Sequence, residues 1–291
     1  MSQYHTSVLL QEVLEAIQPV AGEKYIDATL GGGGHSIAIA QKGGVVLGID
    51  QDEEALSFVQ DYLKASPLSI TVAQGNFENI SHIAKLYGFE SVAGILFDIG
   101  VSSRQLDSRE RGFSFLSDAP LDMRMNKELA VTGADLVNAL HKGELIELFT
   151  KYAQEPFARR IAQKIVEERQ KKRIEATTQL AALVASCYPK GNHKVHPATK
   201  VFQALRIAVN DELYVLEAAL PQAVDLLKKN GRLVVITFHS LEDRIVKESF
   251  KKFQKEGLGK IITEKPIIPT DEEIEKNKRA RSSKLRVFEK I

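Results

Sequence analysis

Asp27-Ala28-Thr29-Leu30-Gly31-Gly32-Gly33-Gly34-His35 is the stretch that decides how the chain folds. Residues 24–30 read as a short strand ending at the glycines, and residues 36–41 continue as a helix pattern. Glycines between a strand and a helix let the backbone approach a ligand closely and adopt positive φ. The next apolar run, residues 44–50 (GVVLGID), reads as a buried strand and ends in Asp50, 16 to 19 residues beyond the glycines. A carboxylate there is placed to accept both ribose hydroxyls of a nucleoside.

Two ligand classes use such a loop followed by an acid. The dinucleotide fingerprint G-x-G-x-x-G/A, read from Gly31, finds Gly33 at its second glycine but Ser36 at its third. An acid four positions before the first glycine, here Asp27, is instead the pattern of S-adenosylmethionine sites. That ligand has no pyrophosphate and carries a cationic amino-acid end, so nearby acid helps. A P-loop is excluded because no Gly-Lys-Ser/Thr follows. A glycine turn without a ligand is the plainer reading, but four consecutive glycines are an entropically costly way to build one.

Outward from the loop, residues 52–64 have helical spacing, residues 68–73 form a third strand pattern and residues 92–97 (VAGILF) a fourth. Strands alternating with helices imply a parallel, doubly wound sheet. The alternation stops between residues 105 and 210. There the sequence holds a long helical stretch (145–170) interrupted near Pro156, a helix over 178–188 and a loop over 189–199. Alternation resumes at Asp211 with a helix reaching Lys229, where Asn230-Gly231 has the form of a C-cap. A strand over 233–238 follows, then a capping box from Ser240 to Asp243 opening a helix to about Phe253, and late strands near 260–268 and 284–291. The expected fold class is α/β: a Rossmann-like sheet formed by residues 1–104 and 211–291, with a helical insertion over 105–210.

Composition sets the outer bounds. The 291 residues are 44% hydrophobic, enough for a sizeable core. No apolar run approaches the roughly 18 to 20 residues of a membrane span, and the N-terminus lacks a signal-peptide pattern, so a cytoplasmic location without membrane contact is expected. The single cysteine, Cys187, rules out an internal disulfide and cysteine-held clusters. Net charge is +1, but residues 1–100 hold 4 basic and 12 acidic side chains, leaving 35 basic and 26 acidic for the remainder. A basic later part is a prior for a polyanionic partner. Two regions concentrate it, each readable as phosphate-binding surface or as solvated helix face. Residues 151–173 hold eight Lys/Arg, and residues 276–290 hold seven. His193 and His196 have a spacing a metal site uses, but no acid or cysteine accompanies them, and no metal is expected.

The fourth strand runs into Asp98-Ile-Gly-Val-Ser-Ser103. Ligands bind beyond the carboxyl ends of strands in open α/β sheets, so Asp98 belongs on the edge that carries the glycines and Asp50. With Arg111-Gly-Phe-Ser-Phe115, Pro120-Leu-Asp-Met-Arg-Met125, His196-Pro-Ala-Thr199, Phe202-Gln-Ala-Leu-Arg-Ile207, Phe238-His-Ser-Leu-Glu-Asp-Arg244 and Arg279-Ala-Arg-Ser-Ser283, the chain resembles one bacterial family. It is the small-subunit rRNA cytosine-N4 methyltransferase family (RsmH, also called MraW), and the resemblance runs from His5 to the C-terminus. The resemblance implies a class I methyltransferase fold acting on the cytidine at position 1402 of 16S rRNA, with S-adenosylmethionine as cofactor. It implies cofactor contacts at Gly33, Gly34, His35, Asp50, Phe77, Asp98 and Gln105. The expected partner is 16S rRNA within the small ribosomal subunit, and a homodimer is compatible with it.

Cytosine N4 is a poor nucleophile because its lone pair is delocalised into the ring. The enzyme has to align the amine with the donor methyl and accept its hydrogens. Amino-methyltransferases acting on DNA place an acidic or polar residue before Pro-Pro-aromatic at this strand end. Here the carboxylate is present as Asp98, the expected catalytic residue, but Ile99-Gly100 replace the prolines, and the second acceptor stays open. Phe113 and Phe115 either stack on a flipped base or pack the insertion. His239 and Ser240 either touch the substrate or begin the next helix. A nicotinamide oxidoreductase and a non-catalytic RNA assembly factor are the competing readings, the first disfavoured by Asp27 and Ser36, the second by the intact loop with Asp50 and Asp98.

Overall fold

The computed structural model describes residues 7–102, 105–106, 108–189, 191 and 195–291. It divides into two compact units, one reaching to Gly100 and resuming over Leu213–Ile291, the other Val101–Glu212.

The first unit alternates as the sequence patterns demand: α1 (Leu10–Ile17), β1 (Lys24–Asp27), α2 (Gly34–Gln41), β2 (Val45–Asp50), α3 (Glu53–Ala65), β3 (Ile70–Gln74), α4 (Ile80–Leu86) and β4 (Val92–Asp98). Its sheet has the order β3-β2-β1-β4-β5-β7-β6. The first five are parallel, and β7 then runs antiparallel to β5 and β6. Side chains alternate between the two faces, as a two-residue repeat requires. Ile95, Phe97, Leu233 and Val235 join one core with Leu216, Leu220 and Phe250, while Leu96, Val234 and Ile236 join another with Val13, Ile17 and Ile39. The result is a Rossmann-like sheet covered on both faces.

The second unit is helical: α5 (Gly133–Ala139), α6 (Lys142–Ala153), α7 (Ala158–Arg169), α8 (Thr177–Ser186) and α9 (Ala198–Asn210). It has its own core, including Phe149, Ile161, Ile165, Leu180, Val184, Val201 and Leu205. Cys187 is buried there as a free thiol. The expected break near Pro156 separates α6 from α7.

The chain re-enters the sheet through α10 (Glu212–Leu226) and β5 (Leu227–Thr237), continuing with α11 (Ser240–Lys255), β6 (Gly259–Ile261), α12 (Asp271–Lys276) and β7 (Lys284–Lys290). Three local expectations fail here. Asn230-Gly231 does not cap α10. The helix ends at Leu226, and the pair turns within β5, where the register with β4 shifts between Val92 and Gly94. Asn230 has φ 63°, and a Cβ at Gly231 would press on the carbonyls of Lys228 and Val92, so glycine is needed for strand packing. The capping box of α11 is formed by His239 and Glu242, one residue earlier than expected: Glu242 accepts from Phe238 N–H at 2.7 Å and His239 N–H at 3.1 Å. The strand expected over 260–268 shrinks to Gly259–Ile261 plus one bridge, Ile267 to Leu285. The Thr263 hydroxyl takes the Val287 N–H, and Pro266 has no N–H to give.

Candidate functional site

β1, β2 and β4 end in Asp27, Asp50 and Asp98, which brings three carboxylates to one edge of the sheet. Parallel strands start together and stop together, so strand-end residues far apart in sequence become neighbours. Asp27 is 1% exposed. It accepts from the Ser36 hydroxyl at 2.7 Å and from Thr29 N–H at 3.2 Å, which ties the strand end to α2. Asp50 spans the loop: one oxygen accepts from Gly31 N–H at 2.7 Å, the other from Asp52 N–H at 2.9 Å. Burial pushes both carboxyls up to about 6, opposed by these hydrogen bonds.

The glycines are needed for different reasons. Gly33 has φ 78°, which L side chains rarely adopt, and its Cβ would crowd Val59. At Gly34 a Cβ would collide with the Ser7 hydroxyl. Gly33 is the N-cap of α2 and has no side chain to cap it; Asp27 takes the Ser36 N–H, and those of Gly34 and His35 lie beside the loop. Such a cradle fits the carboxylate end of an amino-acid ligand.

Asp98 is the most perturbed acid of the edge. Its backbone N–H donates to Thr29 Oγ1 at 2.6 Å, locking β4 to β1. The side chain keeps 16% exposure, yet Oδ1 is sealed without a hydrogen-bond partner among the described residues. Burial first, then the charges of Asp27 and Glu242, push its carboxyl up to about 8. His35 lies beside it, 5% exposed, with Nε2 3.0 Å from the Val8 carbonyl and Nδ1 3.7 Å from Asp98 Oδ2. Burial lowers the imidazole to about 4.

Phe77 opens the short turn Phe77–Asn79 after β3 and meets Phe97 edge-on, the ring centroids 5.4 Å apart at 90°. It remains half-buried, as a residue offering a ring face to a ligand should. Gln105 belongs to the helical unit, where its side chain is 6% exposed and accepts from Ser102 N–H at 3.0 Å. The sheet edge thus brings together six of the seven expected cofactor residues: Gly33, Gly34, His35, Asp50, Phe77 and Asp98.

Other residues whose roles the sequence left open are placed as follows. Phe113 is 8% exposed and lies in the helical core, and Phe115 packs on His196 and Phe202 at 4.7 and 4.9 Å, so both are packing residues. His196 accepts from Ala198 N–H at 3.1 Å at the start of α9, while His193 lies outside the described residues. The basic region 276–290 is largely engaged internally. Lys276 pairs with Glu272, Lys284 and Arg286 with Asp243, and Lys290 donates to the Asp225 carbonyl. In region 151–173, Lys164 and Lys171 share Glu168 and Arg173 pairs with Asp135. Arg159 and Arg160 stay exposed at the start of α7, and with Lys151 they line a groove of about 840 Å³ between α6 and α7.

Sequence reasoning missed three supports of the site. Thr29 and Ser36 lock Asp98 and Asp27, and Glu242, 1% exposed, folds the β5–α11 turn toward the same edge. Ser36 was visible only as a departure from the dinucleotide pattern. Among the described residues, no helix is long and apolar enough to cross a membrane.

The chain is similar to known proteins along its whole length. The family model described as the MraW methylase family matches residues 2–291. The Ribosomal RNA small subunit methyltransferase H of Fusobacterium nucleatum is 47% identical over 308 residues, covering 100% of this chain and 98% of that protein. That of Brevibacillus brevis is 43% identical over 311 residues, covering 100% and 99%. A solved rRNA methylase from Streptococcus thermophilus aligns over 98% of each chain at 11% identity with a TM-score of 0.48.

Proposed function

The chain belongs to the MraW methylase family, and from that premise we propose that this S-adenosylmethionine-dependent methyltransferase methylates N4 of the cytidine at position 1402 of 16S rRNA, with Asp98 as the catalytic carboxylate. The relatives' name, Ribosomal RNA small subunit methyltransferase H, supports the substrate class. The observation that carries the role of Asp98 is its sealed, unpartnered Oδ1 at the end of β4, beside the glycine loop. The side chain keeps 16% exposure there, and a carboxylate that is open on one side and not already saturated with donors suits an N4 hydrogen.

The bound cofactor supplies a methyl group already activated on a sulfonium. Asp50 would hold the ribose hydroxyls with the lone pairs left after Gly31 and Asp52 are served, since a carboxylate offers about four acceptor sites. Phe77 would pack along the adenine, and the open start of α2 would take the amino-acid carboxylate. Asp98 would accept one N4 hydrogen, favour the pyramidal amine and stabilise the positive charge developing on nitrogen. Gln105 is assigned as a further polar contact of the cofactor on the family resemblance alone.

The helical unit is assigned to the RNA. Arg159, Arg160 and Lys151 around the α6–α7 groove match a phosphodiester strand in charge. The working site is assigned to the cytoplasm, on rRNA within the small ribosomal subunit, and self-association is the remaining partner assignment. Tritiated methyl transfer to isolated small subunits and to naked 16S rRNA, with nucleoside analysis, tests the whole reading. N4-methylcytidine is the expected product. A different methylated nucleoside, or no incorporation into either substrate, rejects it.

A further inference from the structure

The hydrogen bond between His35 and Val8 fixes more than the ring's position. A carbonyl oxygen only accepts, so at 3.0 Å from the Val8 carbonyl the His35 Nε2 carries a hydrogen. Neutral imidazole has one N–H, which leaves Nδ1 as a bare lone pair. That lone pair faces Asp98 Oδ2 at 3.7 Å. An ionised Asp98 would set anionic oxygen against a lone pair, with its other oxygen, Oδ1, buried and unserved.

Among the described residues, the neighbouring groups do not relieve this. Asp27 at the end of β1 and Glu242 on α11 face Asp98 with negative charge. Asp50 at the end of β2 adds a third carboxylate to the edge. His239 is engaged with Glu242, its Nε2 2.9 Å from Oε1. On the neighbouring strand β7, Lys284 and Arg286 are paired with Asp243. A proton on the Asp98–His35 pair removes the repulsion, and so does a ligand cation.

We propose that the cofactor-free enzyme stores one proton on the Asp98–His35 pair and releases it to solvent when S-adenosylmethionine binds, the sulfonium taking over its electrostatic role. The carboxylate is thereby ionised only once the methyl donor is in place, which readies Asp98 to accept from the amine. The demethylated product, S-adenosylhomocysteine, lacks the sulfonium charge and leaves the proton on the pair. Donor binding is then favoured on the alkaline side, whereas product affinity changes little with pH, so the donor displaces the product most readily on the alkaline side. The inference rests on the S-adenosylmethionine chemistry of the family and goes beyond the assignment of Asp98 as a contact.

The proton is counted directly by titration calorimetry of the whole enzyme. Donor binding is measured at about pH 7.5 in buffers of different ionisation enthalpy, and the slope of apparent enthalpy against buffer enthalpy is the number of protons released. With Asp98 near 8 and Asp27 and Asp50 near 6, only Asp98 is still largely protonated there, and up to about 0.8 of a proton should leave per donor bound. S-adenosylhomocysteine should release far less. Asp98→Asn should bring the donor's release close to zero, and any titration of the ligand's own amine is the same in both proteins. Zero release in the unaltered enzyme, an unchanged count in D98N, or equal release with the product each overturns the proposal. If D98N does not fold, the pH profile of release decides. A midpoint near 8 supports Asp98, and one near 6 assigns the proton to Asp27 or Asp50 and overturns it. Absence of any donor binding would instead reject the cofactor itself.

Discussion

Asp50 and Asp98 are both strand-end carboxylates, but their surroundings give them different work. Asp50 is already ionised near neutral pH and serves two backbone N–H groups. Asp50→Ala should weaken S-adenosylmethionine binding by about 1.5 to 3 kcal/mol, the usual contribution of a charged acceptor. Part of that loss comes from loosening Gly31, so Asp50→Asn, which keeps one acceptor, should recover part of it. Calorimetric affinity unchanged in both variants would remove Asp50 from the ribose site. On the proposed reading, Asp98 acts in the transition state. Asp98→Asn keeps its size and one acceptor oxygen but loses the charge, and turnover should fall about 10²-fold or more while donor affinity falls much less. Affinity falling as far as turnover would make Asp98 a binding residue and send the search for the amine acceptor elsewhere. The ionised carboxylate is the working form, so kcat/KM of the unaltered enzyme should fall as pH drops below about 8.

Among the elements, α7 differs from its neighbours in what its cations touch. Arg169 donates to the carbonyls of Val137 and Leu140, and Lys164 and Lys171 are paired with Glu168, whereas Arg159 and Arg160 point to solvent from the first turn. The start of a helix is already electropositive, so two exposed arginines there reinforce attraction for phosphate. Reversing both to glutamate should weaken RNA binding and reduce the dependence of log K on log salt by roughly one to two units. Reversing Lys171 should do less, because its charge is shared with Glu168. Donor affinity is expected to stay near the unaltered value. An unchanged salt slope in the Arg159/Arg160 variant would place the RNA on another face.

For the molecule as a whole, three buried carboxyls with raised pKa values make stability depend on pH in a defined direction. Asp27, Asp50 and Asp98 ionise near 4 when unfolded but near 6, 6 and 8 when folded. The unfolded chain therefore gives up these protons first. Their contribution is fully present below about pH 4 and is lost as pH rises through 6 to 8. Asp98→Asn removes the last of these penalties. The cofactor-free variant should melt higher than the unaltered protein at about pH 8.5, on the order of 3–6 °C, and nearly level with it at about pH 5. Equal differences at both values would show that Asp98 does not titrate in this range.

The order of the elements, the glycine loop, Asp50 and Asp98 were legible in the chain because they rest on local rules: apolar repeats of two and of 3.6, glycine where φ is positive, and an acid at a strand's end. Family motifs spread over the chain carried the methyl donor and the RNA. What sequence spacing could not supply was the company each acid keeps. Gly34 proves necessary because Ser7 lies against it, and Asp98 is perturbed by burial and by the charges of Asp27 and Glu242, which come from two other elements. Asn230-Gly231 had the form of a helix cap until the sheet drew Leu227 into register with Val92. The basic residues 276–290 read equally as phosphate surface or solvated face, and only the folded chain sets Lys284 and Arg286 against Asp243 and Lys276 against Glu272. Local sequence sets what each segment prefers, but burial and charge pairing depend on groups scores of residues away, and only the closed sheet and its covering helices bring those within reach.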